Sequence, residues 1–167
     1  MEKNLLIQKL NNLLTTSILN VTRFGRSDTP LLWIATPSLQ DTSARLKEDP
    51  ELKLDWLENL SVVEFDGVFV VSYFLRSTTT STTLILRVSE VPSKPNVIMK
   101  IPSVQSVWPM AAPFEEEIAV MFGIQFNSEP FISQEFNGYP LRKGYQFPEE
   151  IHGIQHQRSP SEEGTLV

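Results

Sequence analysis

The dipeptide Asp66-Gly67 constrains the fold of this chain more than any other short feature, because it separates two strand-like runs at hairpin distance. Asp-Gly favours a two-residue turn with positive φ at both residues, which matches the twist of the flanking strands. The flanking runs, Val62 to Phe65 and Phe69 to Arg76, are rich in Val, Phe and other residues typical of strands. We therefore predict an antiparallel hairpin, continued by a third strand at Leu84 to Val88.

The tract Ser77 to Thr83 lies between the second and third of these strands and consists only of Ser and Thr. Such a tract can also belong to a disordered linker or a phosphorylation cluster. Threonine, however, favours strands, and the tract has the length of a hairpin connection. We predict a turn with strand ends, so that the three strands form an antiparallel meander.

The first part of the chain adds helices to this sheet. Four leucines at i, i+4, i+7 and i+8 share one helical face and predict an amphipathic helix: Leu6, Leu10, Leu13 and Leu14. Ser38 followed by Asp41 resembles a capping box, and it predicts a helix that ends at Pro50. Trp56 and Leu60 predict a further short helix.

Two more strands are predicted at Ile18 to Phe24 and at Leu31 to Thr36, joined by a turn. The whole pattern predicts an α+β fold, with a mostly antiparallel sheet and helices packed on one face. This single domain is expected to span residues 1–145. Residues 146–167 lose apolar periodicity and gain Glu, Gln, Ser, Pro and Gly, so we predict a polar, flexible C-terminal tail.

Composition excludes several classes of function. The 167 residues carry a net charge of -6 without clustered Lys and Arg, so we expect no nucleic-acid partner. The absence of cysteine excludes a disulfide framework, a thiolate zinc site and an ordinary iron–sulfur cluster held by this chain alone. The longest apolar run, Val68 to Leu75, is strand-sized, so we expect neither a membrane span nor a signal peptide.

The segment from Trp108 to Gly123, WPMAAPFEEEIAVMFG, concentrates helix-forming, aromatic and acidic residues. Pro113 suits the first position of a helix, and Gly123 suits its C-terminal end. The glutamates at 115–117 are predicted to lie in the first turn, near the positive end of the helix dipole. Four apolar residues are predicted to share the face that meets the core or a partner: Phe114, Ile118, Met121 and Phe122.

The three glutamates of this helix are predicted to differ in environment. Glu116 points away from the apolar face, whereas Glu115 and Glu117 flank it. A carboxylate that loses hydration beside an apolar surface needs a cationic or N–H partner, for which Arg142 and Lys143 are candidates. The acidic turn can equally be solvated and only complement the helix dipole. Paired catalytic carboxylates are disfavoured, because no other group indicates a substrate site.

His152 and His156 have the i, i+4 spacing at which two imidazoles can share a metal on a helix. The segment is polar and tail-like, and Gly153 lies between the two histidines, so a solvated tail is the preferred interpretation. A stand-alone enzyme or metal protein that uses these histidines together with the Glu115 and Glu117 carboxylates is a competing hypothesis. The sequence contains no dinucleotide-binding, phosphate-binding or nucleophile-turn motif, which favours a binding domain.

Two segments match, in register, a pattern that is known from one protein family. The first, W-P-A-A-N-W-x-E-R-E-x-Y-D-M-F-G-I, is matched at Trp108, Pro109, Ala111, Glu115, Glu117, Met121, Phe122, Gly123 and Ile124. The second, P-L-R-K-D-Y, is matched at Pro140, Leu141, Arg142, Lys143 and Tyr145. The chain thereby resembles the C-type component of bacterial NADH-quinone oxidoreductase, which is the thirty-kilodalton subunit of respiratory complex I, over roughly residues 45 to 145.

The chain departs from this family pattern at several charged or polar positions. Glu116 stands where the family has arginine, Ala119-Val120 replaces Tyr-Asp, and Gly144 replaces the aspartate after Leu-Arg-Lys. Ser128-Glu129-Pro130 replaces Gly-His-Pro, and the segment before Pro-Leu-Arg-Lys is shortened to Phe131 to Asn137. Groups of this kind are expected where subunits meet, so the chain is a divergent member with an altered partner surface.

The resemblance implies a non-catalytic docking subunit in the peripheral arm of complex I, without a cofactor or metal of its own. NADH, FMN, iron–sulfur clusters and quinone then belong to partner subunits. The implied partners are the large quinone-site subunit of the D type and iron–sulfur subunits of the B and I types, on the cytoplasmic side of the bacterial inner membrane. The implied docking residues are Trp108, Glu115, Glu117, Met121, Phe122, Gly123, Pro140, Leu141, Arg142 and Lys143.

Two related interpretations stay open. The equivalent component of a membrane-bound energy-converting hydrogenase or formate hydrogenlyase carries a similar pattern. A stand-alone adaptor that has kept the fold is the other alternative.

Overall fold

The computed structural model describes residues 3–14, 18–25, 29–92, 98–126, 138–143 and 145–146. Their elements, in chain order, are α1 (Lys3–Leu13), β1 (Ile18–Phe24), β2 (Thr29–Ile34), a short 3-10 helix (Thr36–Ser38), α2 (Leu39–Glu48), β3 (Trp56–Phe65), β4 (Val68–Arg76), β5 (Thr83–Glu90), β6 (Met99–Lys100), α3 (Ala111–Phe122) and β7 (Ile124–Gln125). The histidines at 152 and 156, and the predicted tail from residue 147 onward, lie outside the described residues.

The main sheet has five strands in the described part of the chain, in the order β1-β2-β5-β4-β3. β1 and β2 are antiparallel, as are the pairs β3 with β4 and β4 with β5, so the predicted meander is confirmed. β2 and β5 run parallel, and this pair joins the N-terminal hairpin to the meander. A parallel pair requires a crossover connection, which α2 and the β3–β4 hairpin provide. β6 and β7 form a separate parallel pair.

The hairpin predicted at Asp66-Gly67 is confirmed. Both residues have positive φ, 50° and 75°, and Phe65 pairs with Val68 across the turn. The Ser and Thr tract is a turn between β4 and β5, closed by a hydrogen bond of 2.8 Å from the Ser77 N–H to the Thr82 carbonyl. Turn chemistry is local, which explains why short sequence signals were sufficient for both connections.

The predicted short helix at Trp56 and Leu60 is wrong, because both residues belong to β3. The register between β3 and β4 shifts between Leu57 and Asn59, which is a β-bulge. The extra residue puts the buried Leu57 and Leu60 three residues apart, so the period of two that marks a strand is interrupted here and the strand was not recognised from the sequence. Trp56, at the strand end, remains 46% exposed.

The helix predicted after Ser38 is confirmed as α2, but the capping box is wrong. Ser38 makes no side-chain capping hydrogen bond. It is already the last residue of the 3-10 helix, with φ of -87° and ψ of 0°, whereas a capping side chain requires an extended backbone at that position. The helix ends at Glu48, next to Asp49-Pro50, as predicted.

The hydrophobic core lies between the sheet and the three helices of the described residues. Leu10 of α1, Leu46 of α2 and Ile118 of α3 all belong to one buried cluster with Tyr73 of β4 and Leu86 of β5. These strand residues alternate with residues that point to the other face. The predicted packing of helices on one face of the sheet is therefore confirmed.

α1 packs through the predicted leucine face. Leu6, Leu10 and Leu14 are buried, and Leu13 packs at the margin of the core. Lys9 on the same helix forms an ion pair with Asp49, with 2.8 Å between Nζ and Oδ1. The N-terminal helix is thus attached to the core and to the end of α2.

Candidate docking site

The motif helix α3 begins at Ala111, two residues before the predicted start at Pro113. The turn before it explains the difference, because the N–H groups of Ala111 and Ala112 donate to the carbonyls of Trp108 and Pro109 at 2.8 and 3.2 Å. Pro113 is the third helical residue, where an N–H group has no acceptor within the helix. Consequently the first turn contains no acidic residue, and the predicted dipole role of the glutamates is wrong.

Glu115 is buried, with only 2% of its surface exposed. Its Oε1 accepts a hydrogen bond of 2.8 Å from the Val104 N–H. Its Oε2 accepts hydrogen bonds of 2.7 Å from the Ser103 hydroxyl and 2.9 Å from the Gln105 side-chain amide. The carboxylate therefore holds the loop at 101–108 against α3.

The predicted pairing of Glu115 with Arg142 or Lys143 is wrong. Glu115 lies near the start of α3, roughly 10 Å of helix away from its C-terminal end, where Arg142 binds. Burial raises the pKa of the Tyr73 hydroxyl well above its ordinary value, and the negative charge of Glu115 raises it further. The Glu115 carboxylate is thus buried on the core side of α3, where its charge affects the ionisation of Tyr73.

The loop at 101–108 is also attached to α2 and to the segment before β3. The Trp108 indole, which is 1% exposed, donates a hydrogen bond of 2.9 Å to the Leu54 carbonyl. Gln40 donates to the Ser103 carbonyl at 2.8 Å, and the Lys47 ammonium donates to the Val107 carbonyl. Trp108 is therefore a structural anchor. Gln40 and Lys47, which share this role, were not predicted, because their partners are 63 and 60 residues away.

The C-terminal end of α3 is closed by the second motif. Gly123 has a left-handed conformation, with φ of 65°, as predicted for the residue that ends the helix. The Leu141 N–H donates to the Met121 carbonyl at 3.0 Å, and the Arg142 Nε donates to the Phe122 carbonyl at 2.6 Å. The guanidinium therefore places positive charge at the negative end of the helix dipole, where it is stabilising.

Tyr139 explains why the helix end requires glycine. A Cβ atom on Gly123 would lie 2.4 Å from the Tyr139 Cζ atom, so the ring packs directly on the glycine. The guanidinium carbon of Arg142 lies 4.8 Å from the centre of the Tyr139 ring and 5.4 Å from that of Phe69. The second motif is thereby packed against both α3 and β4.

An apolar surface remains exposed beside this helix end. Phe65 at the β3–β4 turn is 74% exposed, and Leu141 is 56% exposed. The Lys143 ammonium lies 5.8 Å from the Phe65 ring centre, and the Lys143 N–H donates to the Glu64 carboxylate at 3.1 Å. We refer to Phe65, Leu141 and Lys143 together as the hairpin-tip surface.

The predicted docking residues therefore divide into two groups. Most of them are buried or half-buried and build the fold: Trp108, Glu115, Met121, Phe122, Gly123, Pro140 and Arg142. The exposed members are Glu117, Leu141 and Lys143. Neither Glu117 nor its neighbour Glu116, which is also exposed, forms an ion pair with the described residues.

Within the described residues, no three His, Cys, Asp or Glu side chains are grouped closely enough to hold a metal ion. The same residues include no helix that is both long and apolar enough to cross a membrane. The geometry thus defines a class of protein. It is a small α+β domain in which most residues of the two motifs stabilise the fold, while an apolar surface stays exposed at the β3–β4 hairpin.

The chain belongs to the family described as respiratory-chain NADH dehydrogenase, 30 Kd subunit, which it matches over residues 32–150. The family predicted from the two motifs is therefore confirmed. The C-type component of NADH-quinone oxidoreductase from Roseiflexus sp. (strain RS-1) is 32% identical over 145 residues, which cover 82% of this chain and 80% of the relative. The combined C/D-type component of NADH-quinone oxidoreductase from Buchnera aphidicola subsp. Cinara cedri is 29% identical over 133 residues, 71% of this chain but 22% of that longer relative.

Two solved structures have a similar fold. A trypsin-resistant fragment of Nqo5 aligns with a TM-score of 0.62 at 17% identity, covering 79% of this chain and 100% of the fragment. A chain of the membrane-bound sulfane sulfur reductase, an archaeal respiratory membrane complex, aligns with a TM-score of 0.60 at 14% identity, covering 77% of this chain and 72% of its own length. At these identities the likeness concerns the fold alone.

Proposed function

We propose that this chain is a docking subunit in the peripheral arm of an NADH:quinone oxidoreductase, and that it binds the D-type quinone-site subunit. The C/D-type relatives support this partner, because a domain like this chain makes up 22% of a longer protein named for both components. Joining two domains in one chain raises their effective concentration for each other, which favours domains that associate.

In this proposal the redox chemistry belongs to other subunits. The chain contains no cysteine, so the thiolate ligands of iron–sulfur clusters must come from partners. NADH, FMN and quinone are likewise assigned to partner subunits. The subunits of the B and I types, and a position on the cytoplasmic side of the membrane, complete the proposed arrangement.

The observation that carries the proposal is the hairpin-tip surface. Phe65, beside the Lys143 ammonium, and Leu141 both expose apolar side chains, although strand pairing and a backbone hydrogen bond fix the segments that carry them. Exposed apolar groups with a polar rim are typical of protein interfaces. A rigid support beneath them reduces the entropy that is lost on association. We therefore assign this surface to the contact with the D-type subunit.

The test is affinity purification of the tagged chain from native membranes in mild detergent. The unchanged chain is expected to recover the D-type and iron–sulfur subunits. The double variant Phe65→Asp with Leu141→Asp should lose the D-type subunit, because charge would be buried at the contact. Leu19→Asp is the matched control, since Leu19 is 68% exposed on β1 at the opposite edge of the sheet.

Recovery of the unchanged chain as a monomer only would refute the proposed function. Undiminished recovery of the D-type subunit with the double variant would refute the assignment of the surface. Co-purification of nickel–iron hydrogenase subunits instead would identify the hydrogenase alternative.

A further inference from the structure

The sheet has a second face, which is not covered by any helix of the described residues. The helices all contribute to the core cluster with Leu84, Leu86 and Val88 of the central strand β5. Alternation along a strand directs the intervening residues Ile85 and Arg87 to the opposite face. We call this opposite side of the main sheet the open face.

Arg87 occupies the middle of the open face. It pairs in register with Ser72 of β4 and Trp33 of β2, so all three side chains lie on this face. The Arg87 Nε donates a hydrogen bond of 2.8 Å to the Ser72 hydroxyl. The guanidinium carbon lies 5.0 Å from the ring centre of Phe24 and 5.5 Å from that of Trp33. The side chain is therefore fixed in position and not extended into solvent.

The charge of Arg87 is not balanced by a carboxylate of the described residues. Its contacts there are Ser72 and the two rings, and its terminal NH₂ groups make no hydrogen bond to described residues. In contrast, Arg45 and Arg76 pair with carboxylates at 2.9 and 3.2 Å. Burial removes part of the hydration of the Arg87 cation, and this lowers the pKa of Arg87 below its ordinary value.

The surroundings of Arg87 are apolar. Leu31 and Ile85 are 2% and 3% exposed although they lie outside the core cluster, so the open face has a small apolar layer of its own. A cavity of about 240 Å³ lies at one end of this face, lined mainly by apolar residues such as Phe74 and Ile85 but also by polar ones, including Glu58. Small-molecule sites begin at roughly 300 Å³, so the cavity suits an inserted side chain better than a free ligand.

We infer that the open face is a second docking surface, which binds a segment of another subunit that presents an Asp or Glu flanked by apolar side chains. The carboxylate would accept hydrogen bonds from the terminal NH₂ groups of Arg87, and an apolar neighbour would fill the cavity. A guanidinium fork fits a carboxylate in this way, and its rigid geometry limits the entropy lost. This inference goes beyond the proposed function, because it assigns a second contact that is centred on Arg87 in the middle of the sheet, four residues along β4 from the hairpin tip where Phe65 pairs with Val68.

Crosslinking in the assembled complex tests the occupant. A photoreactive benzophenone amino acid at Ser89, which is exposed and lies two residues from Arg87 on the same face, is expected to crosslink to another subunit. The crosslinked peptide should contain an Asp or Glu next to apolar residues. The same probe at Asn11, which is exposed on α1 on the opposite, helix-covered side of the sheet, is the control and should not give this crosslink. A crosslink only to residues 147–167 of this chain, or no crosslink, would overturn the inference.

Substitution of Arg87 tests the charge. Arg87→Met is expected to weaken association by about tenfold or more in co-purification at increasing salt, because charge-assisted hydrogen bonds are lost. Arg87→Lys should retain part of the affinity, and Arg45→Met, which removes an exposed ion pair, should retain nearly all. The melting temperature of the purified chain distinguishes a binding defect from misfolding: with Arg87→Met it should fall only by a few degrees, through loss of the Ser72 hydrogen bond and the two ring contacts.

A charge reversal completes the test. Arg87→Glu should abolish the contact, and exchange of the crosslinked partner carboxylate for arginine should restore it. Normal association of Arg87→Met would overturn this inference but leave the proposed function intact, provided that the Phe65 and Leu141 double variant still fails to bind.

Discussion

Removal of the Glu115 carboxylate should destabilise this protein far more than removal of either neighbouring glutamate. In the folded chain, Glu115 accepts three hydrogen bonds from the loop at 101–108. A hydrogen bond to a charged group contributes about 1.5 to 3 kcal/mol, so the three together set an upper limit of roughly 5 to 9 kcal/mol. The substitution also removes the desolvation cost of the carboxylate, which offsets part of this sum.

The expected net loss for Glu115→Ala is about 3 kcal/mol, because the Val104 N–H remains buried without an acceptor and a cavity is left. Glu115→Gln should lose less, since the amide oxygen can still accept one of the bonds. Glu116→Ala and Glu117→Ala are matched controls, and each should change stability by less than about 0.5 kcal/mol because both side chains are exposed.

Urea unfolding of the purified chain measures these differences. For a small domain, 3 kcal/mol corresponds to a shift of the midpoint by about 1 to 3 M urea. The same loss lowers the melting temperature by roughly 6 to 12 °C. A loss below about 0.5 kcal/mol for Glu115→Ala, or an equal loss for Glu117→Ala, would refute the role assigned to the buried carboxylate.

Three further changes have defined outcomes. Gly123→Ala should cost about 1 to 2 kcal/mol for its left-handed backbone and more for the collision with the Tyr139 ring, and a double-mutant cycle with Tyr139→Ala should recover the steric part in urea unfolding. Arg142→Ala should cost about 1 to 2 kcal/mol through loss of the helix-end contact, and hydrogen exchange should show earlier opening at the end of α3 than at its start. Asp55 accepts hydrogen bonds from the Thr78 hydroxyl and N–H, and these bonds, the hydroxyl's first, lower the pKa of Asp55. Their contribution to folding stability should be fully present above the unfolded pKa of about 3.9, and it should be lost as pH falls through the folded pKa. Unfolding free energies from about pH 5 to about pH 2 should show this loss in the unchanged chain and not in Asp55→Ala.

The residues of the two motif segments differ in their structural environment. Glu115 and Trp108 carry the family resemblance, yet both side chains are buried and bind backbone or loop groups of their own chain. In this chain both residues fix α3 and the loop before it. Three residues of the pattern are exposed, and the docking proposal depends on two of them, Leu141 and Lys143, but not on Glu117.

The sequence by itself determined the features that depend on neighbouring residues. Asp66-Gly67 specified a hairpin because both residues tolerate positive φ, and the leucines of α1 specified an amphipathic helix by their spacing. Gly123 specified the helix end for the same local reason. The two motifs were sufficient to identify the family, since register and residue identity are both read directly along the chain.

The tertiary structure alone decided the features that depend on distant partners. The bulge after Leu57 and the pairing of β3 with β4 turned an apparent helix into a strand. The parallel pairing of β2 with β5 carries no local signal, because it joins residues more than 50 positions apart. Burial likewise separated Glu115 from the exposed Glu117, and strand pairing placed Arg87 on the open face. Local turn and helix preferences act over a few residues, whereas strand order, bulges and the choice of polar partner are settled by packing across the whole domain.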